Sequence, residues 1–402
     1  MYDFKSATKV LLKIIIHGGA VMKIIDIEKL SENIEKRVAT DIAKNNIAGC
    51  SILVNQGGKC LYKKHFGTLS AEDSSHISDN TIFRLASMTK PITAVATMIA
   101  VDKGLLDLDD KIEKYLPKFK DMFIIKLENG VAVKDRDAAI KPTIRHLLSH
   151  SSGIHSGIAL EYYDPKIPAE ARKTLAGAVD FYAECGLEAE PSQTFNYSPV
   201  AGFDIVARII EIVSGMPYDE FLKKNIFEPC KMYDTGFVPS EEQWQRLVPM
   251  HNKIDGKSIV VNTPEGCIFE NYPVQHFLGG AGLFSTLNDY SNFAEMLLNE
   301  GIFEGKRILS AESVNAMHTV QVSEEIMPGS QQWGLSVRII TKPEYINLPV
   351  GSYGWSGAYG THFWIDPANK ITAIYMKNSG YDGGAGAVTA ANFEWDVTNS
   401  FE

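Results

Sequence analysis

The chemistry that this sequence could perform begins with a serine and a lysine three residues apart, Ser87 and Lys90. At that spacing on a helix the two side chains share one face, so an unprotonated lysine could take the hydroxyl proton as the serine attacks a carbonyl. Such pairs also recur by chance, and Ser6 and Lys9 repeat the spacing without a plausible setting. Ser87 and Lys90 differ because an almost wholly apolar segment, 93–101, follows them. Burial there would lower the pKa of the lysine, as a base requires.

A sheet is needed to hold such a pair at the wall of a cleft, and strand-like runs occur towards both ends of the chain. The first two runs are separated by the turn residues Asn55-Gln56-Gly57-Gly58, which are typical of a hairpin. The later runs are bounded by glycines and by Asp366-Pro367, so we expect them to complete the same sheet. The predicted strands are 50–54, 59–66, 332–340, 359–365 and 370–376.

The segment between the two groups of strands carries mostly helical and loop-like signals. Residues 202–213 form an apolar-periodic helix that Ser214-Gly215 ends, with Tyr197 just upstream. We therefore predict an α/β (α+β) fold, in which an antiparallel sheet is flanked by helices and interrupted by an inserted, mostly helical lobe. The predicted division is an α/β lobe of 22–107 and 275–402, a helical lobe of 108–274, and an N-terminal extension, 1–21, that is disordered or dispensable.

The composition and charge of the chain indicate which kinds of binding partner and which compartment to expect. The 402 residues include 45% hydrophobic and 22% charged residues, as globular proteins do, and the net charge of -10 argues against nucleic acid or anionic membranes. Five scattered cysteines indicate a reducing compartment. The apolar run 10–16 is interrupted by Lys13 and lacks a cleavage site, and no later run is long enough to span a membrane. We expect a cytoplasmic protein with a small-molecule substrate, and leave its oligomeric state open.

Four blocks in a fixed order carry a resemblance to a known family. Residues 83–90 are followed by Gly-Leu-Leu-Asp-Leu-Asp-Asp at 104–110, by Thr-Ile-Arg-His-Leu-Leu-Ser-His-Ser-Ser-Gly-Ile at 143–154, and by Leu-Gly-Gly-Ala-Gly-Leu-Phe-Ser-Thr at 278–286. Together they resemble the serine β-lactamase and penicillin-binding-protein superfamily, in its class C-like branch. The resemblance extends from about residue 47 to 378 and implies a β-lactamase-like fold with Ser87 as nucleophile and Lys90 as its partner.

The resemblance also implies a catalytic tyrosine, Tyr197. In the family this residue often begins a Tyr-x-Asn triplet, and its phenol relays protons between nucleophile, lysine and leaving group. Here the triplet is Tyr197-Ser198-Pro199. Because Pro199 has no side-chain amide, it cannot recognise a β-lactam or peptide amide in the way the family asparagine does.

A third family element, Lys-Thr-Gly or His-Thr-Gly on an inner strand, corresponds to Trp355-Ser356-Gly357. An indole ring cannot pair with the carboxylate that the family cation helps to hold. Members with Trp-x-Gly here are similar to the family VIII carboxylesterases. The resemblance places Trp355, Ser356 and Gly357 in the substrate site and forms an oxyanion hole from the backbone N–H groups of Ser87 and Ala358.

Other possible sites are less well supported. His146 and His150 are four residues apart, with His155 nearby, but no carboxylate at helical spacing accompanies them, so we predict no metal. No Gly-x-Ser-x-Gly motif is present, which disfavours an α/β-hydrolase. The glycine pairs lack a nucleotide-binding context, and we predict no cofactor.

These observations favour a carboxylesterase that forms an acyl-enzyme on small acyl esters. A β-lactamase or D-alanyl-D-alanine carboxypeptidase is the first alternative, and it would need another cation, such as Arg338, for the substrate anion. An acyltransferase, in which an alcohol displaces water, is the second. A non-catalytic ligand-binding or sensor module is the third, and the presence of Ser87, Lys90 and Tyr197 argues against it.

Overall fold

The computed structural model describes residues 22–70, 73–262 and 276–402, so the extension predicted for 1–21 lies outside the described residues. The strands are β1 (Gly49–Gln56), β2 (Lys59–Gly67), β3 (Ile82–Arg84), β4 (Phe123–Glu128), β5 (Val131–Asp137), β6 (Met250–Ile254), β7 (Lys257–Asn262), β8 (Phe284–Thr286), β9 (Ile302–Phe303), β10 (Lys306–Arg307), β11 (Gln331–Trp333), β12 (Arg338–Ile340), β13 (Tyr353–Ser356), β14 (His362–Asp366) and β15 (Ile371–Met376). The helices are α1 (Ile27–Ala43), α2 (Thr89–Asp102), α3 (Ile144–Leu148), α4 (Gly157–Tyr163), α5 (Leu175–Tyr182), α6 (Ala201–Ser214), α7 (Tyr218–Leu222), α8 (Glu241–Trp244), α9 (Leu287–Leu298), α10 (Ala311–Met317) and α11 (Val388–Thr398).

Seven strands form the main sheet in the order β11-β12-β13-β14-β15-β1-β2, and every neighbouring pair is antiparallel. The two ends of the chain meet where β1 pairs with β15, with Ile52 opposite Tyr375. Alternate residues of β1 enter different cores, because successive side chains of a strand point to opposite faces. Ile52 and Val54 join one core and Leu53 the other. This arrangement confirms the predicted antiparallel sheet and its assembly from both chain ends.

Helices cover both faces of the sheet. On one face α1 buries Leu30, Ile34 and Val38, whose four-residue spacing forms a single apolar stripe. Arg37 ties α1 to α11 by donating two hydrogen bonds, of 2.5 and 2.7 Å, to Asp396. On the other face α9 packs against β15, β1 and β14. None of the helices in the described part of the chain combines the length and apolarity that spanning a membrane requires.

Helix α2 joins the sheet to the helical part of the molecule. Its residues 89–100 are all buried, as the apolar sequence predicted, and it packs against α6. Helix α6 in turn contacts α3, α5 and α7. The side chains at the start of α2 are therefore shielded from water on every side.

The segment 108–274 is less helical than predicted, because it also contains the hairpins β4–β5 and β6–β7. The first turns through Asn129 and Gly130, both with positive φ, and the second through Asp255 and Gly256. Asn-Gly and Asp-Gly are strong hairpin signals, so the sequence did contain the information. The lobe boundaries stay a prediction, and residues 263–275 lie outside the described residues.

Two predicted strands also differ in detail. The run 332–340 is two short strands, β11 and β12, because Gly334 donates a 2.9 Å hydrogen bond to the carbonyl of Val337 and reverses the chain. Strand β14 begins at His362, because Gly360 closes a turn with the carbonyl of Gly357. This turn places Ala358 just beyond the end of β13.

Candidate active site

Ser87 lies in a tight turn between β3 and α2. The preceding residue, Ala86, has a φ of 47°, a left-handed conformation that is uncommon outside glycine. Two reciprocal hydrogen bonds hold the turn, since the Asn378 side chain accepts from Arg84 N at 2.9 Å and donates to the carbonyl of Arg84 at 3.0 Å. Their effect is to fix the backbone that presents Ser87.

The end of β13 is pressed against the same turn. The carbonyl of Leu85 accepts a 3.0 Å hydrogen bond from Thr361 Oγ1, and a Cβ atom on Gly357 would lie 2.2 Å from that carbonyl. Only glycine fits at so close an approach. Gly357 therefore lets β13 and Ser87 form adjacent walls of one site, which explains the glycine of the Trp-x-Gly motif.

Lys90 is wholly buried, and its Nζ atom has three oxygen neighbours. Ser87 Oγ lies at 3.1 Å, the carbonyl of Pro199 at 2.6 Å and the carbonyl of Gly280 at 2.8 Å. Carbonyls only accept, so two N–H bonds of Nζ are committed to them. The third tetrahedral position of Nζ points at Ser87. In a neutral amine this position is occupied by the lone pair. Neutral Lys90 can therefore accept the proton of Ser87.

Burial lowers the pKa of Lys90 to about 7, and the carboxylate of Asp204 opposes this shift. Asp204 is itself fully buried, and accepts hydrogen bonds from His276 Nε2 at 2.8 Å and from Gly279 N at 2.9 Å. A large neutral fraction of Lys90 near pH 7 is thus compatible with its surroundings. Sequence reasoning missed Asp204, since a single acidic residue on a helix carries no signal of its partners.

Tyr197 lies in the loop before α6 and meets both Ser87 and β13. Its hydroxyl accepts a 3.0 Å hydrogen bond from Trp355 Nε1 and shares another with the side chain of Ser87. Burial raises the pKa of Tyr197 to about 12, although both hydrogen bonds lower it. The phenol is therefore neutral near pH 7 and can donate a proton. The structure brings Ser87, Lys90, Tyr197 and Trp355 together.

His150 supports the tyrosine loop. Its ring lies against that of Tyr197 with centroids 4.2 Å apart, and its Nδ1 accepts a 3.1 Å hydrogen bond from Ser198 N. Burial and the nearby Lys90 hold the pKa of His150 well below its usual range. His150 is a neutral packing group beside the reactive side chains.

The other two histidines have separate surroundings. His146 Nδ1 accepts from Thr143 N at 3.2 Å in the cap of α3, and its Nε2 lies 2.7 Å from Ser192 Oγ. The His155 ring packs against Tyr182, with centroids 4.9 Å apart. Within 22–70, 73–262 and 276–402, no group of three or more potential ligands could hold a metal ion.

A cavity of about 950 Å³ opens onto Ser87. Ala358, the second predicted oxyanion residue, also lines it. Arg338 is the one charged side chain among the described residues that form the wall, and it is paired with Glu394 and lies 3.3 Å from Tyr345 Oη. Apolar and aromatic side chains form much of the rest, namely Phe195, Tyr197, Val200, Ala281, Met327, Trp333, Trp355, Ala385 and Ala391.

Comparison with known proteins matches residues 31–392 to the family described as Beta-lactamase. The esterase EstB of Burkholderia gladioli is 25% identical over 401 residues, covering 91% of this chain and 95% of its own. Penicillin-binding protein 4* of Bacillus subtilis is 28% identical over 339 residues, covering 83% and 68%. The structure of EstCE1, a hydrolase with promiscuous acyltransferase activity, superposes with a TM-score of 0.77 at 23% identity, covering 92% of this chain and 99% of that one.

Proposed function

This chain belongs to the β-lactamase family, and on that premise we propose that it is a carboxylesterase that hydrolyses small acyl esters through an acyl-enzyme on Ser87. The main support for this proposal is that the described wall of the cavity offers no unpaired positive charge. The resemblance to the family aligns Trp355 with the cation of penicillin-recognising members. The positive charge of Arg338, which also lines the cavity, is balanced by Glu394. Neutral esters fit such a wall, whereas a substrate carboxylate would be desolvated without a free cation to pair with.

In the proposed acylation step, neutral Lys90 takes the proton of Ser87 as Oγ attacks the ester carbonyl. The carbonyls of Pro199 and Gly280 hold Nζ so that its lone pair faces Oγ. The backbone N–H groups of Ser87 and Ala358 would stabilise the oxyanion that forms. Both residues line the cavity onto which Ser87 opens, which supports this assignment.

The departing alcohol needs a proton, and Tyr197 is the nearest neutral donor. Its phenol gives its proton to the alcohol oxygen, and the proton that Lys90 took from Ser87 then passes to the phenolate, since Lys90 Nζ lies 4.9 Å from the centre of the Tyr197 ring. Trp355 Nε1 stabilises the phenolic oxygen while it carries partial negative charge. Water then attacks the acyl-enzyme and loses its proton to the same pair. That proton returns to Oγ of Ser87 as its bond to the acyl group breaks and the carboxylic acid leaves.

A paired assay tests the proposal. Wild type should release nitrophenol from p-nitrophenyl butyrate much faster than it opens a chromogenic cephalosporin, and Ser87→Ala should lose the ester turnover. Ser330→Ala is a matched control, because Ser330 lines the same cavity on another segment of the wall. Circular dichroism should show that both variants fold. Ester turnover that survives Ser87→Ala would refute the mechanism, and faster cephalosporin turnover would favour a β-lactamase.

A further inference from the structure

One peptide group in the cavity wall is held in a fixed direction through its carbonyl. The carbonyl of Gly357 accepts two hydrogen bonds, from Gly360 N and from Gly384 N, each at 2.9 Å. Because a peptide unit is planar and trans, the N–H group of the next residue, Ala358, points the opposite way. It donates to no other group in the described part of the chain, and Ala358 lines the cavity that opens onto Ser87. This N–H group is the one proposed above to bind the oxyanion.

A glycine-rich loop between β15 and α11 holds that carbonyl. Residues 379–387, here called the glycine loop, supply the hydrogen bond from Gly384 and part of the cavity wall. The loop also packs closely on the turn 357–360, since a Cβ atom on Gly383 would lie 2.1 Å from the carbonyl oxygen of Ala358. The glycine loop and the turn therefore form one packed unit, and a shift of the loop would rotate the peptide of Ala358.

Lys377 connects the glycine loop to this turn. Its side chain is buried, and its Nζ donates to the carbonyls of Asp382 at 2.9 Å and Tyr381 at 3.3 Å and to Thr389 Oγ1 at 2.9 Å. Three acceptors match the three N–H bonds of a lysine ammonium. The methylene groups of Lys377 lie against Gly360, where a Cβ atom would be 2.0 Å from Cε. One side chain thus contacts both the turn and the loop.

Asp382 and Thr389 complete the attachment at the start of α11. The side chain of Asp382 accepts hydrogen bonds from Val388 N at 2.6 Å and Thr389 N at 2.7 Å, and from the hydroxyl of Thr389. That hydroxyl uses its single hydrogen on Asp382, so its oxygen is left to accept from Lys377. Asp382 has a φ of 52°, which is uncommon outside glycine, and these bonds hold it there.

We propose that Lys377 is a positioning residue of the oxyanion hole, which holds the glycine loop so that Gly384 keeps the N–H group of Ala358 aimed at the oxyanion. The inference rests on the proposed function and adds to it a residue that does not contact the substrate. Its effect is selective, because an oxyanion exists only in the tetrahedral intermediate and its transition states. Loss of Lys377 should therefore weaken the binding of a tetrahedral species far more than that of a planar ketone.

Two inhibitors with the same carbon skeleton test this selectivity. Phenethyl trifluoromethyl ketone forms a tetrahedral adduct, in which Oγ of Ser87 bonds to the ketone carbon, the Oγ proton passes to Lys90 and the ketone oxygen becomes an anion. Phenethyl methyl ketone is less electrophilic and binds without forming that bond. Both inhibition constants are measured against p-nitrophenyl butyrate, together with kcat/KM for this ester.

Lys377→Met keeps the length of the side chain and removes its N–H groups. Removing an oxyanion donor outright slows an enzyme about 100- to 1000-fold, and here the donor is only displaced, so we expect kcat/KM to fall about 5- to 50-fold. The inhibition constant of the trifluoromethyl ketone should rise by a similar factor, and that of the methyl ketone by less than about twofold. Thr389→Val, which removes one acceptor of Lys377, should give the same pattern at about two- to fivefold.

Thr372→Val is the matched control for these variants. Thr372 is also a buried threonine, on the strand that precedes Lys377, but its hydroxyl donates to Glu295 at 2.6 Å, away from the glycine loop. This variant should change neither inhibition constant. Thermal melting followed by circular dichroism shows whether each variant is folded at the assay temperature.

Each outcome decides the question. A Lys377→Met variant that binds both ketones as wild type does, or weakens both equally, overturns the inference, while Ser87-dependent ester turnover leaves the proposed function standing. A selective loss in Thr372→Val also overturns it, because any buried change would then suffice. If Lys377→Met does not fold, the two inhibition constants of Thr389→Val decide in the same way. Absence of Ser87-dependent ester turnover in wild type would overturn the proposed function and this inference together.

Discussion

Replacing Trp355 with phenylalanine removes one hydrogen bond from the site and keeps an aromatic ring. Trp355 Nε1 donates to Tyr197 Oη at 3.0 Å, and its ring packs edge-on against Trp333 with centroids 4.4 Å apart. Phenylalanine can retain much of that packing but has no N–H group. Any effect beyond packing must therefore come from the lost support of the phenolic oxygen.

The size of the effect follows from the bond and its surroundings. A net hydrogen bond in a protein contributes about 1 kcal/mol, and somewhat more when the acceptor carries charge. The oxygen of Tyr197 gains negative charge as it gives up its proton, so we expect kcat to fall about 5- to 30-fold. The fall should be larger for propyl butyrate, whose alcohol needs a proton, than for p-nitrophenyl butyrate, whose leaving group needs little help.

Trp333→Phe is the matched control, because Trp333 lines the same cavity but donates its Nε1 hydrogen to the carbonyl of Leu148 at 3.3 Å. Steady-state kcat and KM for both esters, measured on wild type and both variants, would decide. The reasoning fails if Trp355→Phe slows both esters equally. It also fails if Trp333→Phe reproduces the same difference between leaving groups.

Three further predictions concern Lys90, Gly357 and Glu394. Because Lys90 must be neutral to act and its pKa is lowered to about 7, wild-type kcat/KM should rise about tenfold per pH unit below that value and level off above it, and Lys90→Arg should abolish turnover at every pH. Gly357→Ala, whose Cβ would lie 2.2 Å from the carbonyl of Leu85, should lower the melting temperature by several degrees and slow acylation, as differential scanning fluorimetry and a burst assay would show. The folded-state pKa of Glu394 is lowered from 4.5 to about 2, so its ionised form adds stability above pH 4.5 that is lost as the pH falls towards 2. The stability difference between wild type and Glu394→Gln, measured by urea unfolding, should therefore shrink across that range, and a constant difference would contradict the pairing with Arg338.

The sequence was informative wherever a local pattern carries the structure. The apolar helix after Ser87, the strands at both chain ends and the ordered family blocks predicted the fold. The resemblance to the family singled out Ser87, Lys90, Tyr197 and Trp355 as candidates. One prediction was wrong although a local signal was available. Asn129 and Gly130 are a recognisable hairpin turn, and the interpretation of segment 108–274 as mostly helical overlooked it.

Only the tertiary structure revealed which groups surround each reactive side chain. The carbonyls of Pro199 and Gly280 that orient Lys90 lie 109 and 190 residues away from it, and backbone groups leave no trace in a sequence pattern. The sequence makes Arg338 a candidate for binding a substrate anion, but in the structure its charge is paired with Glu394, 56 residues further along the chain. The sequence determines the chemical type of each side chain. Its pKa, its charge balance and the direction of its hydrogen bonds depend on desolvation and on neighbours that folding brings together from distant parts of the chain.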